Sequence, residues 1–249
     1  MEYFTSEELL KTNRNQVKTR LQQCVGQLVR FDFSIKTFKK CLKKYFNNNL
    51  DIKMLDVGPG NATFAEQLRE LNYHNIYGVD IDNYVPDEHK HLFVKFETAD
   101  LNLDKIPWQD ESFDVVTAWC VLPHLENPFH CVREIARVLK KNGLFLFTVP
   151  HLTSKPSIAY FKKYGNFSMY RNKNNHIILF TQSIINKMVE KYFDILEIEY
   201  AVRPKIFSGG FRKTLRKIVY NLVKKISAKL TKSLERRWAY DTIYIIQKK

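Results

Sequence analysis

A glycine-rich turn directly after an apolar run constrains the fold of this chain more than any other feature. Residues 54–57 read Met-Leu-Asp-Val, and Gly58, Pro59 and Gly60 follow them. Glycine has no Cβ atom, so it adopts turn conformations that other residues avoid and lets a ligand approach the backbone closely. The pattern therefore predicts a buried strand, a sharp turn with a ligand beside it, and a helix over residues 62–71.

A second apolar run ends in acidic residues and indicates what the ligand carries. Residues 75–80 predict a strand whose last residue is Asp80, and Ile81 and Asp82 follow it. A carboxylate at the end of this strand can accept hydrogen bonds from both hydroxyls of a ribose. We therefore expect a nucleoside-bearing cofactor held by Asp80, with Asp82 able to share that role.

The third small residue of the turn separates two classes of nucleoside cofactor. Dinucleotide-binding chains carry Gly-x-Gly-x-x-Gly, with the pyrophosphate at the helix N-terminus. Here the sixth position is Thr63, and the small residue Ala62 comes one place early. This departure favours a nucleoside without a pyrophosphate.

Predicted strands and helices alternate along most of the chain. The strands are 53–57, 75–80, 92–98, 114–119, 143–149, 193–202 and 241–247, and the helices between them are 62–71, 128–139, 181–192 and 211–238. Such alternation is typical of an α/β fold with a doubly wound parallel sheet, in which ligands bind beyond the carboxyl ends of the strands. Helices over residues 1–46 precede the sheet, with Thr5 and Glu8 as a capping box.

Several short motifs, in order, resemble those of the class I S-adenosylmethionine-dependent methyltransferases of the type 11-like family. They are residues 55–60 (LDVGPG), 78–80 (GVD), 99–101 (ADL), 106–108 (IPW), 112–116 (SFDVV), 121–125 (VLPHL) and 139–146 (LKKNGLFL). The resemblance covers residues 50–150. It implies a Rossmann-like seven-stranded sheet with the last strand antiparallel, and S-adenosylmethionine as cofactor, with S-adenosylhomocysteine as its product.

The same resemblance implies which residues hold the cofactor. Asp56 and the turn formed by Gly58, Pro59 and Gly60 would face the methionine part, and Asp80 with the following Ile81 would hold the ribose. Asp100 and the backbone of Leu101 would hold the adenine, and Trp119 would lie just past the fourth strand. We expect one methyltransferase domain over 1–249, with N-terminal helices (1–50), a cofactor-binding core (51–150) and a segment that covers the substrate (151–249).

Histidines after two strands are candidates for the catalytic base. Methyl transfer to a hydroxyl requires alignment of donor and acceptor and removal of one proton. His124 follows the fourth strand and His151 the fifth, and histidine titrates near neutral pH. Either residue can be the base or a structural histidine, and His176 is a weaker third candidate.

A metal-assisted mechanism is not expected from the same region. Some branches that methylate hydroxyls carry Glu-x-x-Glu-His after the fourth strand. Aligned on His124, the two glutamate positions hold Cys120 and Pro123, and neither offers a hard oxygen ligand. We therefore predict metal-independent transfer.

Positive charge is concentrated near the end of the chain. Residues 201–249 hold fourteen Lys or Arg and two acidic residues, so they carry +12 of the net +14. Within them, residues 211–238 predict one amphipathic helix with an apolar stripe and a basic face. Such a helix can pack on the sheet with a solvated basic face, bind an anionic membrane, or bind a nucleic-acid backbone.

The composition of the chain indicates in which cellular compartment the protein works. No apolar run reaches the roughly 18 residues that a membrane span requires, and the first residues predict no signal peptide. Cys24, Cys41, Cys120 and Cys131 show no metal-binding spacing and are read as reduced thiols. We expect a cytoplasmic protein, peripheral on the inner face of the membrane if the basic helix binds lipid.

Three functions agree with these features. The leading hypothesis is O-methylation of a small-molecule, saccharide or lipid-linked acceptor. An RNA methyltransferase that uses the basic tail is an alternative, and a non-catalytic subunit that binds cofactor only to stabilise its fold is another. The acceptor and the oligomeric state stay open, because a fold does not fix a substrate.

Overall fold

The computed structural model describes residues 28–171, 175–202 and 211–249, and it describes no side chains for residues 28–32 and 211–217. The strands are β1 (Met54–Val57), β2 (Ile76–Asp80), β3 (Lys95–Thr98), β4 (Phe113–Ala118), β5 (Leu139–Pro150), β6 (Phe193–Ala201) and β7 (Asp241–Lys248). The helices are α1 (Leu28–Phe46), α2 (Thr63–Glu70), α3 (Pro128–Val138), α4 (Lys155–Tyr164), α5 (Gln182–Val189), α6 (Phe211–Ile226) and α7 (Ala228–Trp238). The predicted capping box at Thr5 and Glu8 lies outside the described residues.

The strands form one sheet in the order β3-β2-β1-β4-β5-β7-β6. Strands β1 to β5 pair in parallel. Strand β7 runs antiparallel to both β5 and β6. The expected fold class, a doubly wound seven-stranded sheet with the last strand antiparallel, is therefore confirmed.

Alternating side chains bury both faces of the sheet. In β1, Leu55 and Val57 enter one core, which α3 and α5 cover, and Met54 enters the other. In β5, Phe145 and Phe147 lie in the same core as Leu55 and Val57, and Leu146 lies in the other. Because both faces are covered by helices, the sheet presents its carboxyl edge, at the ends of β1, β2, β4 and β5, as the place for a ligand.

Two strands differ from their predicted bounds by more than one residue at an end. The strand expected at 92–98 begins only at Lys95, because a 3₁₀ turn occupies Asp87–Leu92. The strand expected at 143–149 extends over Leu139–Pro150, since Leu139 already pairs with Phe113. Neither change moves the carboxyl edge of the sheet.

The single helix predicted over 211–238 is wrong, because the structure has two helices there. Ser227 adopts an extended conformation with φ −152°, and its hydroxyl accepts a hydrogen bond from the Leu230 amide at the start of α7. The Tyr220 hydroxyl of α6 donates to Glu235 Oε1 of α7 at 2.7 Å. A Ser N-cap stabilises a new helix start, so the chain turns at Ser227 and forms a helical pair.

Packing of the apolar stripe on the sheet, one of the three alternatives for residues 211–238, does not hold for Leu222, Ile226 and Leu230, which are exposed. Leu215 lies among the side chains that the structure does not describe. Within the described ranges, no helix has both the length and the apolar character that spanning a bilayer requires.

The buried carboxylate of Glu134 in α3 joins this helix to the loop before β4. It accepts hydrogen bonds from the Ile106 amide at 3.0 Å and from Arg137 Nη2 at 2.6 Å. Arg137 in turn donates to the carbonyl oxygens of Ile106 and Trp108. We predict that Arg137→Met lowers the free energy of unfolding by about 2 kcal/mol, because it leaves a largely buried carboxylate without its cation.

Urea denaturation with tryptophan fluorescence measures this loss. The control is Lys140→Met, which removes the more exposed ion pair between Lys140 and Asp114 at 2.8 Å. The control should cost less than about 1 kcal/mol. Equal losses in the two variants would contradict the prediction.

Candidate active site

The glycine turn lies at the carboxyl end of β1 and is packed on one side and open on the other. Gly58 has φ +67°, and its amide donates to the Val79 carbonyl of β2 at 2.7 Å. A Cβ atom on Gly58 would lie 2.5 Å from Val121 Cγ2, whereas one on Gly60 would meet nothing within 4 Å among the described residues. The chain passes through buried Pro59 between them. The backbone of Gly60 is therefore accessible to a ligand.

Asp80 faces this turn from the end of β2. Its carboxylate accepts hydrogen bonds from the Gly60 amide at 3.3 Å and from the Ile81 amide at 2.8 Å. Burial, with a smaller contribution from the charge of Asp82, raises the pKa of Asp80 to about 6. Asp82 instead accepts from the Asn83 amide in a turn of its own. The predicted ribose ligand Asp80 is therefore hydrogen-bonded to the glycine turn.

Asp56 lies beneath the turn in the centre of the sheet. Its carboxylate accepts a 2.7 Å hydrogen bond from the Thr117 hydroxyl of β4. Burial raises the pKa of Asp56 to about 7, and the nearby Asp80 adds to the effect. The role of Asp56 toward the methionine part of the cofactor stays a prediction.

The predicted adenine-binding pair follows β3 beside Asp80. The Ala99 amide donates to the Asp80 carbonyl at 3.0 Å, so the next residue, Asp100, lies near the ribose candidate. Asp100 Oδ1 accepts from the amide and the side chain of Asn102, which forms a local turn. Leu101 is buried in the core. The adenine contacts of Asp100 and of the Leu101 backbone stay predictions.

Trp119 follows β4 and borders the same site. Its ring contacts Phe64 of α2 edge to face, with the ring centroids 5.3 Å apart. The indole Nε1 is buried and, within the part of the chain that the structure describes, has no hydrogen-bond partner. Leaving a buried donor without an acceptor is costly. The site therefore offers a buried donor to a ligand.

These features fit an S-adenosylmethionine-type cofactor. The open backbone at Gly60 allows close approach, Asp80 offers a carboxylate to two hydroxyls, and the Trp119 Nε1 offers a donor to an acceptor group. Such an arrangement suits a ligand that carries both a ribose and a carboxylate.

The second part of the site is a cluster of rings beyond β4, which we call the histidine cluster: His124, Tyr170 and His176. The rings of His124 and His176 lie 4.5 Å apart, and those of Tyr170 and His176 lie 5.4 Å apart. His124 Nδ1 is 2.9 Å from the Asn175 carbonyl oxygen. The Ile177 and Ile178 amides both donate to the Pro123 carbonyl, so the two segments are joined through the backbone as well.

His151 is enclosed where β5 meets β7. Its Nδ1 is 2.8 Å from the Thr242 hydroxyl, and its Nε2 is 3.4 Å from the Thr153 hydroxyl. Burial lowers the pKa of His151, so the ring is neutral at pH 7. No ring contact joins it to His124 among the described residues. The structure thus separates the two predicted bases and brings His176 to His124.

Two further residues border the site and were not predicted from the sequence. Burial, with the charge of Asp241, raises the pKa of Tyr170. The Tyr170 hydroxyl is therefore protonated, and it donates to the Ile178 carbonyl at 2.9 Å. Asp241 begins β7 opposite Pro150, beside His151. Only the abundance of aromatic residues after residue 150 could have indicated Tyr170, and no local signal indicates Asp241.

Among the described residues, no group of three or more His, Cys, Asp and Glu side chains is arranged to hold a metal ion. Cys120 lies in a tight turn after β4 with φ +60°, and its amide donates to the Thr148 hydroxyl at 2.8 Å. Metal independence, inferred from Cys120 and Pro123, stays a prediction.

Residues 55–147 match the sequence model of a family described as a methyltransferase domain. Residues 55–147 therefore carry the core of a methyltransferase domain. The matched range contains the glycine turn, Asp80, Asp100, Trp119 and His124. The family resemblance expected from the motifs is therefore confirmed, and S-adenosylmethionine is the cofactor that the family implies.

Curated relatives of this methyltransferase domain are named for different acceptors. The chain is 27% identical to a sarcosine/dimethylglycine N-methyltransferase of Aphanothece halophytica, over 49% of this chain and 47% of that protein. It is 32% identical to a 27-O-demethylrifamycin SV methyltransferase of Amycolatopsis mediterranei, over 36% of each chain. The chain thus spans about half, or less, of the length of these two relatives.

A solved structure from Thermotoga maritima shares the fold of the domain. It is described as an S-adenosylmethionine-dependent methyltransferase, possible histamine N-methyltransferase. It superposes with a TM-score of 0.56 and 13% identity, over 92% of this chain and 96% of the other. At that identity the likeness supports the fold alone.

We predict that Asp80→Ala weakens binding of S-adenosylmethionine and S-adenosylhomocysteine by about 1–3 kcal/mol, because ribose hydroxyls lose a charged acceptor. Isothermal titration calorimetry measures the dissociation constants, with NAD as the ligand that should not bind. Asp82→Ala is the matched control and should leave both constants nearly unchanged. A larger effect at Asp82 would transfer the ribose role to that residue.

The raised pKa of Asp80 also predicts how cofactor affinity depends on pH. The ionised carboxylate is the stronger acceptor, and in the free protein Asp80 ionises as the pH rises through about 6. Affinity for S-adenosylhomocysteine should therefore be constant above pH 7 and fall as the pH decreases below 6. Asp80→Asn should lose this dependence, although Asp56 titrates nearby. An unchanged pH profile in that variant would contradict the assignment.

Proposed function

We propose that this chain transfers the methyl group of S-adenosylmethionine to a hydroxyl of a small-molecule, saccharide or lipid-linked acceptor, without a metal ion. The observation that carries the proposal is the fixed His124 ring at the end of β4, whose Nδ1 lies 2.9 Å from the Asn175 carbonyl oxygen. When bound, the cofactor supplies a methyl group already activated by its attachment to a sulfonium. The residues of the chain then have to bind, align and deprotonate the acceptor.

The hydrogen bond to Asn175 assigns the tautomer of His124. A carbonyl oxygen only accepts, so Nδ1 carries the hydrogen, and in the neutral ring Nε2 carries the lone pair. Nε2 is then the atom that takes the acceptor proton. The Asn175 carbonyl would stabilise the positive ring that results, as the orienting group of a general base does.

The other two members of the histidine cluster support an acceptor site. Tyr170 keeps its proton because burial and Asp241 raise its pKa, and it can act only as a hydrogen-bond donor or neutral acceptor there. The His176 ring packs against both neighbours. These groups can orient a polar acceptor beside His124, while enclosed His151 supports the end of β5.

The two alternative functions are less well supported. An RNA methyltransferase would use the basic helices α6 and α7, but a phosphate backbone does not need their exposed aliphatic side chains. A non-catalytic subunit would not need an oriented histidine at the end of β4. An amine acceptor stays an outcome of the experiment, since one relative is named as an N-methyltransferase.

We predict that His124→Ala lowers turnover by about 10²–10⁴-fold, because it removes the general base. The assay uses S-adenosylmethionine with a labelled methyl group and a panel of hydroxyl- and amine-bearing acceptors that includes cell-envelope precursors. His130→Ala, on the surface of α3, is the matched control and should keep full turnover. His124→Ala must still bind S-adenosylhomocysteine.

The variant His151→Ala tests whether the enclosed His151, and not His124, is the general base. We expect it to lower the melting temperature, since it removes a buried ring with two threonine partners, and to retain turnover per folded molecule. Full turnover in His124→Ala, together with loss in a folded His151→Ala, would move the base to His151.

Transfer should also survive chelation of metal ions. Turnover measured after dialysis against EDTA should equal that of untreated enzyme, because Cys120 and Pro123 replace the acidic ligands of metal-using branches. Loss of turnover that magnesium restores would contradict this part of the proposal.

A further inference from the structure

An exposed aliphatic surface runs along α6 and α7. It comprises Ile218, Val219, Leu222, Ile226 and Leu230, and we call these five residues the docking face. Their side chains are 45–79% exposed, and Ile226, beside the turn between the helices, is the most exposed. Single exposed apolar residues are normal, but a contiguous set on one helical pair marks an interaction surface.

Cations are abundant on the same two helices as the docking face. Six side chains on the two helices are basic and exposed: Lys224, Lys225, Lys229, Lys232, Arg236 and Arg237. Over residues 218–238 the one acidic residue, Glu235, accepts a hydrogen bond from Tyr220 between the helices. The surface therefore combines aliphatic side chains with a strong excess of positive charge.

The helical pair is attached to the body of the protein through α7. Thr231 of α7 is buried, and its hydroxyl donates to the Ser227 carbonyl at 2.8 Å. Lys155 Nζ of α4 lies 5.7 Å from the ring centroid of Trp238. Helix α7 contacts α4 and β6, whereas the side chains of the docking face stay exposed.

Exposed apolar residues also continue from α4 toward the candidate active site. Ile158, Phe161 and Tyr164 of α4 are exposed, and α4 starts a few residues after β5 ends. Ile177 and Leu179, next to the histidine cluster, are exposed as well. The docking face and the acceptor side of the site are therefore linked by α4.

We propose that the docking face binds the surface of an anionic lipid bilayer. A basic amphipathic helix inserts its aliphatic side chains at the boundary between headgroups and acyl chains, while Lys and Arg contact anionic headgroups. A second copy of this chain fits less well, because the same six cations would meet across the interface. A nucleic acid would use the cations and leave the aliphatic side chains in water.

Docking on a bilayer would also supply the acceptor from the membrane. This part of the inference rests on the proposed methyl transfer. A bilayer under α6 and α7 lies beside α4, which follows the strand that ends at the site. A lipid-linked hydroxyl in the headgroup region would then reach His124 without leaving the membrane surface. The binding of lipid itself does not depend on catalysis.

Sedimentation with vesicles tests the docking. The intact chain is mixed with vesicles of phosphatidylcholine alone or with phosphatidylglycerol, at low and high salt. We expect binding to the anionic vesicles, at least about tenfold weaker binding to neutral ones, and loss of the difference at high salt, since salt screens exposed charges. Leu222→Glu with Ile226→Glu, and separately Lys224→Gln with Lys225→Gln, should each reduce binding by about tenfold or more.

The matched control is Lys36→Gln with Lys39→Gln, which removes the same charge from exposed positions of α1. It should bind as the intact chain does. Failure of the intact chain to bind anionic vesicles would overturn the proposal. An equal loss of vesicle binding in the control would also overturn it, because the attraction would then depend only on the net charge of the protein. A dimer that Ile226→Glu dissociates would identify a second copy as the occupant.

Failure of the docking and failure of the methyl transfer give different results. The two aliphatic substitutions should leave calorimetric binding of S-adenosylhomocysteine unchanged, and His124→Ala should leave vesicle binding unchanged. Vesicle binding without methylation of any lipid-linked acceptor would retain the docking face and reject its role in supplying the acceptor.

Discussion

The close contact between the glycine turn and the strands beside it is the constraint on which the site depends. Gly58 donates to the Val79 carbonyl and leaves no room for a Cβ atom against Val121. This contact brings the end of β1 against β2 on one side and against the segment after β4 on the other. It thereby sets the start of α2, the position of Gly60 relative to Asp80, and the place from which the histidine cluster begins. A larger residue at this point would separate the cofactor side from the acceptor side.

The site also carries an electrostatic cost that a ligand can offset. Burial raises the pKa of Asp56 to about 7 and that of Asp80 to about 6, so both hold protons at a pH where the unfolded chain has released them. The stability that they contribute is therefore complete below about pH 4 and is lost as the pH rises through 6 to 7. Hydrogen-bond donors from a bound ribose would stabilise the ionised form of Asp80. The fold is thus less stable at neutral pH, and in return Asp80 is held as a carboxylate that can accept hydrogen bonds from a ligand.

The cofactor side could be predicted from the sequence because its signals are local. The turn at 58–60, the acid at residue 80 and the alternating apolar residues of β1 depend on neighbours a few positions apart. The acceptor side depends on distant contacts instead: His124 meets Asn175 and His176, and His151 meets Thr242. No local pattern indicates these pairs. The helix break at Ser227 was missed for a different reason, since the apolar stripe continues in register across it and conceals the N-cap.

The parts of the chain that proved hardest to predict are also those that set this methyltransferase domain apart. The family match covers residues 55–147, whereas Tyr170, His176 and the docking face all lie after it. A shared core has to preserve one cofactor, so its residues are constrained in type and spacing. The later segments have to match an acceptor and its surroundings, which differ between relatives named for amines and for a rifamycin hydroxyl. In this chain they join an oriented histidine, through α4, to a basic aliphatic surface. If the docking face binds a bilayer as proposed, that connection would bring the site to an acceptor held in the membrane surface.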